Sequence, residues 1–219
     1  MGADDLKRVA GAHAATYVTS GMRVGLGTGS TVRYTIEALA ASGLALECTA
    51  TSIETHDLAT GLGLRVVAPD VIGTLDIAID GADEVDPRLN LTKGGGGALT
   101  REKVVAQMAE RFVVVADESK LVGILGGFGT PLEVLDFAPG TVIARVRALG
   151  ARSVSIRDRR SDNANLLVDA DFGPTISDPV DLGARLSAIA GLVEHGLFYG
   201  DMVERVVVAD GDGVHELTK

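Results

Sequence analysis

The first two-thirds of the 219-residue chain alternates helix-like and strand-like segments, and this alternation narrows the possible folds more than any other feature. Residues 5–19 place Leu6, Val9, Ala10, His13, Ala14 and Tyr17 along one helical side. Short apolar runs at 22–26, 44–50, 64–68, 74–79 and 112–116 read as strands. Between them lie helical stretches at 32–41, around Leu58 and Leu62, and at 99–111. Strands that are apolar on both faces must be covered on both faces, which predicts a parallel sheet sandwiched by helices. The remainder changes character. A strand at 131–135, a helix at 139–149, strands at 153–157 and 166–170, a helix at 179–190 and a strand at 192–197 follow the β-α-β-β-α-β order of a ferredoxin-like unit. Residues 205–209 and 214–217 flank Asp-Gly-Asp-Gly and read as a hairpin. The predicted fold is α/β: a mostly parallel Rossmann-like sheet with helices on both faces, plus a smaller ferredoxin-like α+β domain. Residues 1–127 and 198–219 are assigned to the larger, catalytic domain and 128–197 to the smaller.

Composition excludes several classes. With 46% hydrophobic and 23% charged residues, the chain is not disordered overall. Nothing approaches an 18-residue apolar run, so no membrane span is expected. The first residues place acids before bases without an apolar stretch, unlike a secretory signal. The single cysteine, Cys48, cannot form an internal disulfide, which fits a reducing cytoplasm. A net charge of −10 makes nucleic acid and anionic lipid poor partners, so an anionic substrate would need a local cluster of donors. Aromatics at 4%, with no Trp, leave no platform for stacking bases or sugar rings. The 28 glycines are clustered, which points to places where backbone turns sharply or approaches a ligand closely.

Four segments could carry chemistry. Gly25 to Thr31, GLGTGST, lies between a strand and a helix; converging amides, the Ser30 and Thr31 hydroxyls and the helix start suit a phosphate. A tight turn with a helix cap would also explain its Ser and Thr. It lacks the lysine of a Walker loop, and Ser30 stands where a dinucleotide fingerprint needs its third glycine. Asp80 to Asp86, DGADEVD, follows an apolar strand, so Asp80 stands at a carboxyl end, where open α/β sheets bind ligands. Its spacing is not that of a calcium loop, and a solvated acidic turn is the plain alternative. Lys93 to Glu102, KGGGGALTRE, combines four successive glycines with a cation and a carboxylate near a helix start. A binding loop suits it better than a linker, because regular elements flank it closely. Asp117 to Lys120 puts Lys120 at the same sheet edge as Asp80, although an exposed loop lysine is the ordinary reading. His13, His56, His195 and His215 show no metal-ligand spacing, so acid–base chemistry falls to carboxylates.

GLGTGST, DGADEVD, KGGGGALTREK and ADESK, in this order and spacing, resemble the type A family of ribose-5-phosphate isomerases over essentially the whole chain, with the SDNAN and GLF segments included. Ala164 departs from the usual SDNGN, and Leu132 and Asp136 alter a PVEVxP-like segment. The resemblance implies that Glu102 is the general base. It implies that Asp80, Asp83 and Lys93 surround the reacting end of the sugar. It further implies substrate contacts at Thr28, Gly29, Ser30, Thr31, Gly81, Ala82, Gly94, Gly95, Gly96 and Lys120, with Lys7 near the phosphate. No metal and no cofactor are implied, and the expected assembly is a homodimer or homotetramer in the cytoplasm. The implied reaction interconverts ribose 5-phosphate and ribulose 5-phosphate through an enediolate in the pentose phosphate pathway. A sugar-phosphate-sensing domain of a regulator would need a DNA-binding helix and a basic surface. A sugar-phosphate lactonase or deaminase would need a water-activating group.

Overall fold

The structure, a computed structural model, describes residues 2–219. Its elements run α1 (Ala3–Ala15), β1 (Arg23–Leu26), α2 (Ser30–Ala41), β2 (Glu47–Ala50), α3 (Ile53–Gly61), β3 (Arg65–Val66), α4 (Pro69–Ile72), β4 (Ile77–Gly81), β5 (Glu84–Val85), β6 (Leu91–Thr92), α5 (Leu99–Met108) and β7 (Phe112–Asp117). They continue with β8 (Thr130–Val134), α6 (Pro139–Ala148), β9 (Ser153–Arg160), β10 (Leu166–Asp171), α7 (Pro179–Ser187), β11 (Leu192–His195), β12 (Leu197–Phe198), β13 (Arg205–Asp210) and β14 (Gly213–Leu217). The chain divides into two compact units. One holds everything up to Ala82 with Arg101–Lys120 and Asp201–Lys219; the other holds Asp83–Thr100 and Leu121–Gly200.

The first unit is built on a seven-stranded sheet in the order β14-β13-β7-β4-β1-β2-β3. All neighbours pair in parallel except the β13–β14 hairpin. Successive strand side chains point to opposite faces, and here both faces are dry. Val24, Leu26, Ile77, Ile79, Val113 and Val115 join Ala10 of α1 and Ile36 of α2 in one core. On the other side of β1, Gly25 leaves room for Val105 of α5. Each fully buried aliphatic side chain contributes about 1.5–3 kcal/mol. Cys48 sits in this core with no exposure, and burial pushes its thiol up to about 12, so it is a packing residue. Among the described residues, no helix is long and apolar enough to cross a membrane.

The second unit contains a four-stranded antiparallel sheet, β11-β8-β10-β9, with α6 and α7 in the β-α-β-β-α-β order that the sequence predicts. Its core includes Leu132, Val134, Val142, Val146, Val168 and Leu186. Asp178 caps α7, accepting the N–H groups of Val180 (3.1 Å) and Asp181 (2.9 Å), with Pro179 in the first turn. A second, three-stranded sheet, β12-β6-β5, belongs to this unit too. Residues 83–100, 121–127 and 198–200 therefore group with the second unit, whereas the sequence reading assigns them to the first. The physical reason lies at Glu84. Its buried carboxylate accepts N–H groups from Gly126 (3.0 Å) and Phe128 (2.9 Å) and the Thr92 hydroxyl (2.8 Å). Strands of two residues carry no periodicity from which such pairing could be read.

Candidate active site

In the first unit, the loops leaving β1 and β4 diverge. β1 connects onward to β2 on one side, and β4 to β7 on the other. Open α/β sheets bind ligands outside such a switch point. The chain leaves β1 through Gly27 and Thr28. The Thr28 N–H donates to Asp80 Oδ1 (3.1 Å), which also accepts the Gly81 N–H (2.7 Å). A Cβ on Gly27 would overlap the Asp80 carboxylate, so glycine there permits this approach. Asp80 is 3% exposed. The cap of α2 is Gly29, at φ 139°, and Ser30 and Thr31 are the first helical residues. Their hydroxyls are therefore not spent on capping the helix. A cleft of about 450 Å³ beside this helix start is lined by Asp4, Gly29, Ser30, Arg33, Tyr34 and Glu54, among others.

The Thr28 hydroxyl points elsewhere. It sits in a hydroxyl cluster with Thr51 (2.7 Å), Ser52 (2.8 Å) and Thr55 (3.1 Å). Ser52 caps α3, and the Thr55 hydroxyl donates to the Gly27 carbonyl (2.9 Å). The cluster locks the β1 loop to the β2–α3 junction. The density of hydroxyls in Thr51-Ser52-Ile53-Glu54-Thr55 is the sequence signal for it. Lys7 lies half-buried on α1. Lys120 lies half-buried in a 3₁₀ turn, Glu118–Lys120, which follows β7, the neighbour of β4.

The acidic run is not a solvated turn. Asp86 folds the chain back by accepting the N–H groups of Arg88 and Asn90, both at 2.8 Å. Glu84 ties down residues 126–128, as described above. Asp83, by contrast, accepts the Gly95 N–H at 2.8 Å and so holds the glycine loop. A Cβ on Gly95 would stand 2.7 Å from Asp83 Oδ1 and 3.0 Å from the Phe128 ring. Lys93, 2% exposed, donates its N–H to the Gly196 carbonyl (2.8 Å), and its ammonium lies 5.4 Å from the Phe198 ring centre. On the far side of the loop, Arg157 and Arg159 donate to its carbonyls. These two arginines escape a reading that looks for motifs. Their signal is two cations two residues apart in a chain of net charge −10.

The glycine loop feeds α5, and Glu102 falls in the first turn of that helix, 3% exposed. A carboxylate is electrostatically favoured there. Two of the predicted groupings are joined by direct hydrogen bonds, Thr28 with Asp80 and Asp83 with Gly95. A further carboxylate carries no local motif that marks it in the sequence. Glu133 of β8 has no exposure and accepts from Thr100 (2.5 Å), Ser161 (2.8 Å), Asn163 (3.0 Å) and Asn165 (2.8 Å). The SDNAN segment is thus a cradle for a buried charge.

Comparison with known proteins bears on these arrangements. Residues 47–213 match the family model described as ribose 5-phosphate isomerase A (phosphoriboisomerase A). A Streptococcus thermophilus protein named ribose-5-phosphate isomerase A is 43% identical over 220 residues, covering 96% of each chain. One from Desulfatibacillum aliphaticivorans is 44% identical over 226 residues, covering 98% of this chain and 97% of its own. Among solved structures, ribose 5 phosphate isomerase A from Neisseria gonorrhoeae superposes with a TM-score of 0.95 at 34% identity, over 99% of this chain and 97% of that one. A D-ribose-5-phosphate isomerase in complex with phospho-erythronic acid also gives 0.95, at 34% identity and full coverage of both. On the match of most of its length to the family model and of nearly all of it to these relatives, the chain belongs to the ribose 5-phosphate isomerase A family.

Proposed function

We propose that this protein interconverts D-ribose 5-phosphate and D-ribulose 5-phosphate by proton transfer through an enediolate, as a step of the pentose phosphate pathway. The observation that carries this reading is Glu102, a carboxylate withdrawn from solvent in the first turn of α5, directly after the glycine loop. Family membership over nearly the whole chain supports the same activity against a regulatory sensing domain or a lactonase or deaminase.

The residues suit the chemistry in the following way. Glu102 takes the proton from C2 of the open-chain aldose and delivers it to C1, so one group acts as base and then acid. Negative charge that develops on the C1 and C2 oxygens is stabilised by the Lys93 ammonium and by amides of Gly94 and Gly96, while the Gly95 amide holds Asp83 beside them. Asp80 assists opening of the sugar ring, and Asp83 positions hydroxyls beside Gly81 and Ala82. Gly29, Ser30 and Thr31 at the start of α2, with Lys7 and Lys120, hold the phosphate, and Thr28 fixes the loop that presents them. Inside so acidic a chain this grip must be local. The enzyme acts in the cytoplasm as a homodimer or homotetramer, a reading supported by the family motifs and by a buried thiol that needs no oxidising compartment.

The direct test is turnover of ribose 5-phosphate by the purified protein with EDTA present. Ketose formation that EDTA leaves unchanged is expected. Absence of ketose, or release of a hydrolysis product, would refute the assignment.

A further inference from the structure

We infer that Arg157, clamped by Asp169 and assisted by Arg159, is a positioning residue that sets the direction of the glycine-loop amides. The inference rests on the proposed placement of that loop at the reacting end of the sugar. Arg157 is 16% exposed at its side chain, and its donors are divided between two tasks. Nε and Nη2 form a fork on the Asp169 carboxylate at 2.8 and 2.5 Å, which fixes the plane of the guanidinium. Nη1 then donates to the Gly94 carbonyl at 2.9 Å and the Gly95 carbonyl at 3.2 Å. Arg159 Nη2 adds a second bond to the Gly95 carbonyl at 3.0 Å.

In a trans peptide the N–H points opposite to the C=O of the same unit. With the Gly94 and Gly95 carbonyls turned toward the arginines, the Gly95 and Gly96 N–H groups face the other way. The first of these meets Asp83 at 2.8 Å, which shows the side on which both amides present themselves. Successive N–H groups on one side make an anion-binding concavity, in which Asp83 takes the first amide and the Gly96 amide is aimed to the same side. Cations on the carbonyl ends also polarise those peptides, which strengthens the amides as donors.

The strand itself is shaped for this task. In the β9–β10 ladder, Ile156 pairs with Val168 and Arg160 with Leu166, so residues 157–159 stand opposite Leu167 alone. β9 thus carries a bulge at the segment that holds both arginines. Bulges re-aim side chains and recur beside active sites. The strand runs to Arg160, beyond the expected end at 157, because the consecutive charged residues 157–160 break the alternation of a half-buried strand.

The test compares the parent with Arg157→Lys, Arg157→Ala and Asp169→Asn. Lysine keeps the charge but cannot hold Asp169 with a fork while donating to two carbonyls. All three variants should lose about 10²-fold in kcat, with KM for ribose 5-phosphate nearly unchanged. Phospho-erythronic acid, whose carboxylate resembles the charged enediolate, should bind more weakly in proportion, while inorganic phosphate competes as it does in the parent. A purely structural role would instead lower the melting temperature and leave kcat per folded molecule intact; that result, or full rescue by lysine, overturns the inference. Hydrogen exchange at residues 94–97 of the parent, with and without phospho-erythronic acid, separates the two claims. Protection of the loop with unaffected variants removes Arg157 alone. No protection removes the loop from the site, and the inference with it.

Discussion

At the scale of single residues, the structure separates carboxylates that look alike in the sequence. Glu84, Asp86 and Glu133 hold backbone and side-chain donors and serve architecture. Asp83 grips the glycine loop, and Asp80 grips the loop after β1. Burial pushes the Glu133 carboxyl up, but hydrogen bonds from Thr100, Asn165, Asn163 and Ser161 outweigh it and leave the group below its ordinary value. A carboxylate lowered on folding stabilises the protein above its unfolded pKa and loses that contribution as pH falls through the folded value. Glu133→Gln should therefore be less stable than the parent by about 1–3 kcal/mol at pH 7. The gap should narrow as pH drops below about 4.5. Urea titrations of both proteins at several pH values check this, and a gap independent of pH contradicts it. At Lys120, replacement by Ala should raise KM for ribose 5-phosphate about tenfold with little change in kcat, the loss of one hydrogen bond to a charged group. An unchanged KM removes Lys120 from the phosphate grip. The contacts of Arg157 and Glu133 are not legible in the sequence, because Gly94 and Gly95 and the donors to Glu133 lie tens of residues away, Asp169 lies on the next strand, and nothing local marks the pairing.

At the scale of elements, long periodic segments were legible and short ones were not. The strands of the large sheet and helices α1, α2, α5, α6 and α7 stand near their expected places. The strands β5, β6 and β12 are not legible in the sequence, because two residues each carry no local periodicity and their pairing joins segments far apart in the chain. The glycine run is legible as a short loop between regular elements, and it lies between β6 and α5. What its composition could not show is the reason for glycine at one position, the approach of Asp83 and Phe128 to Gly95. Gly95→Val would drive a branched side chain into both. Turnover should drop about 10²-fold as the loop shifts. Steady-state kinetics on protein shown to be folded by circular dichroism would decide, and parent-like turnover would place the loop outside the site.

For the whole molecule, the order of the large sheet brings three motifs far apart in sequence to the same end of neighbouring parallel strands. The segments after β1, β4 and β7, which carry GLGTGST, DGADEVD and ADESK, all leave the carboxyl ends of parallel strands. The fourth motif enters α5, whose first turn holds Glu102. The alternation of apolar strands and helices made that sheet legible, whereas the assignment of 83–100 to the second unit was not. Sedimentation should give two or four times the 22.6 kDa of one chain; a 22.6 kDa species would contradict the proposed assembly. The central claim is that Glu102 moves the proton between C2 and C1, and Glu102→Gln tests it most directly. Glutamine keeps the shape and a hydrogen bond but cannot accept the proton. We predict that kcat falls by at least about 10²-fold, that phospho-erythronic acid still binds, and that exchange of the C2 deuteron of labelled ribose 5-phosphate falls in parallel with kcat. A variant that isomerises and exchanges within about tenfold of the parent would contradict the account and pass the role of base to Asp80 or Asp83.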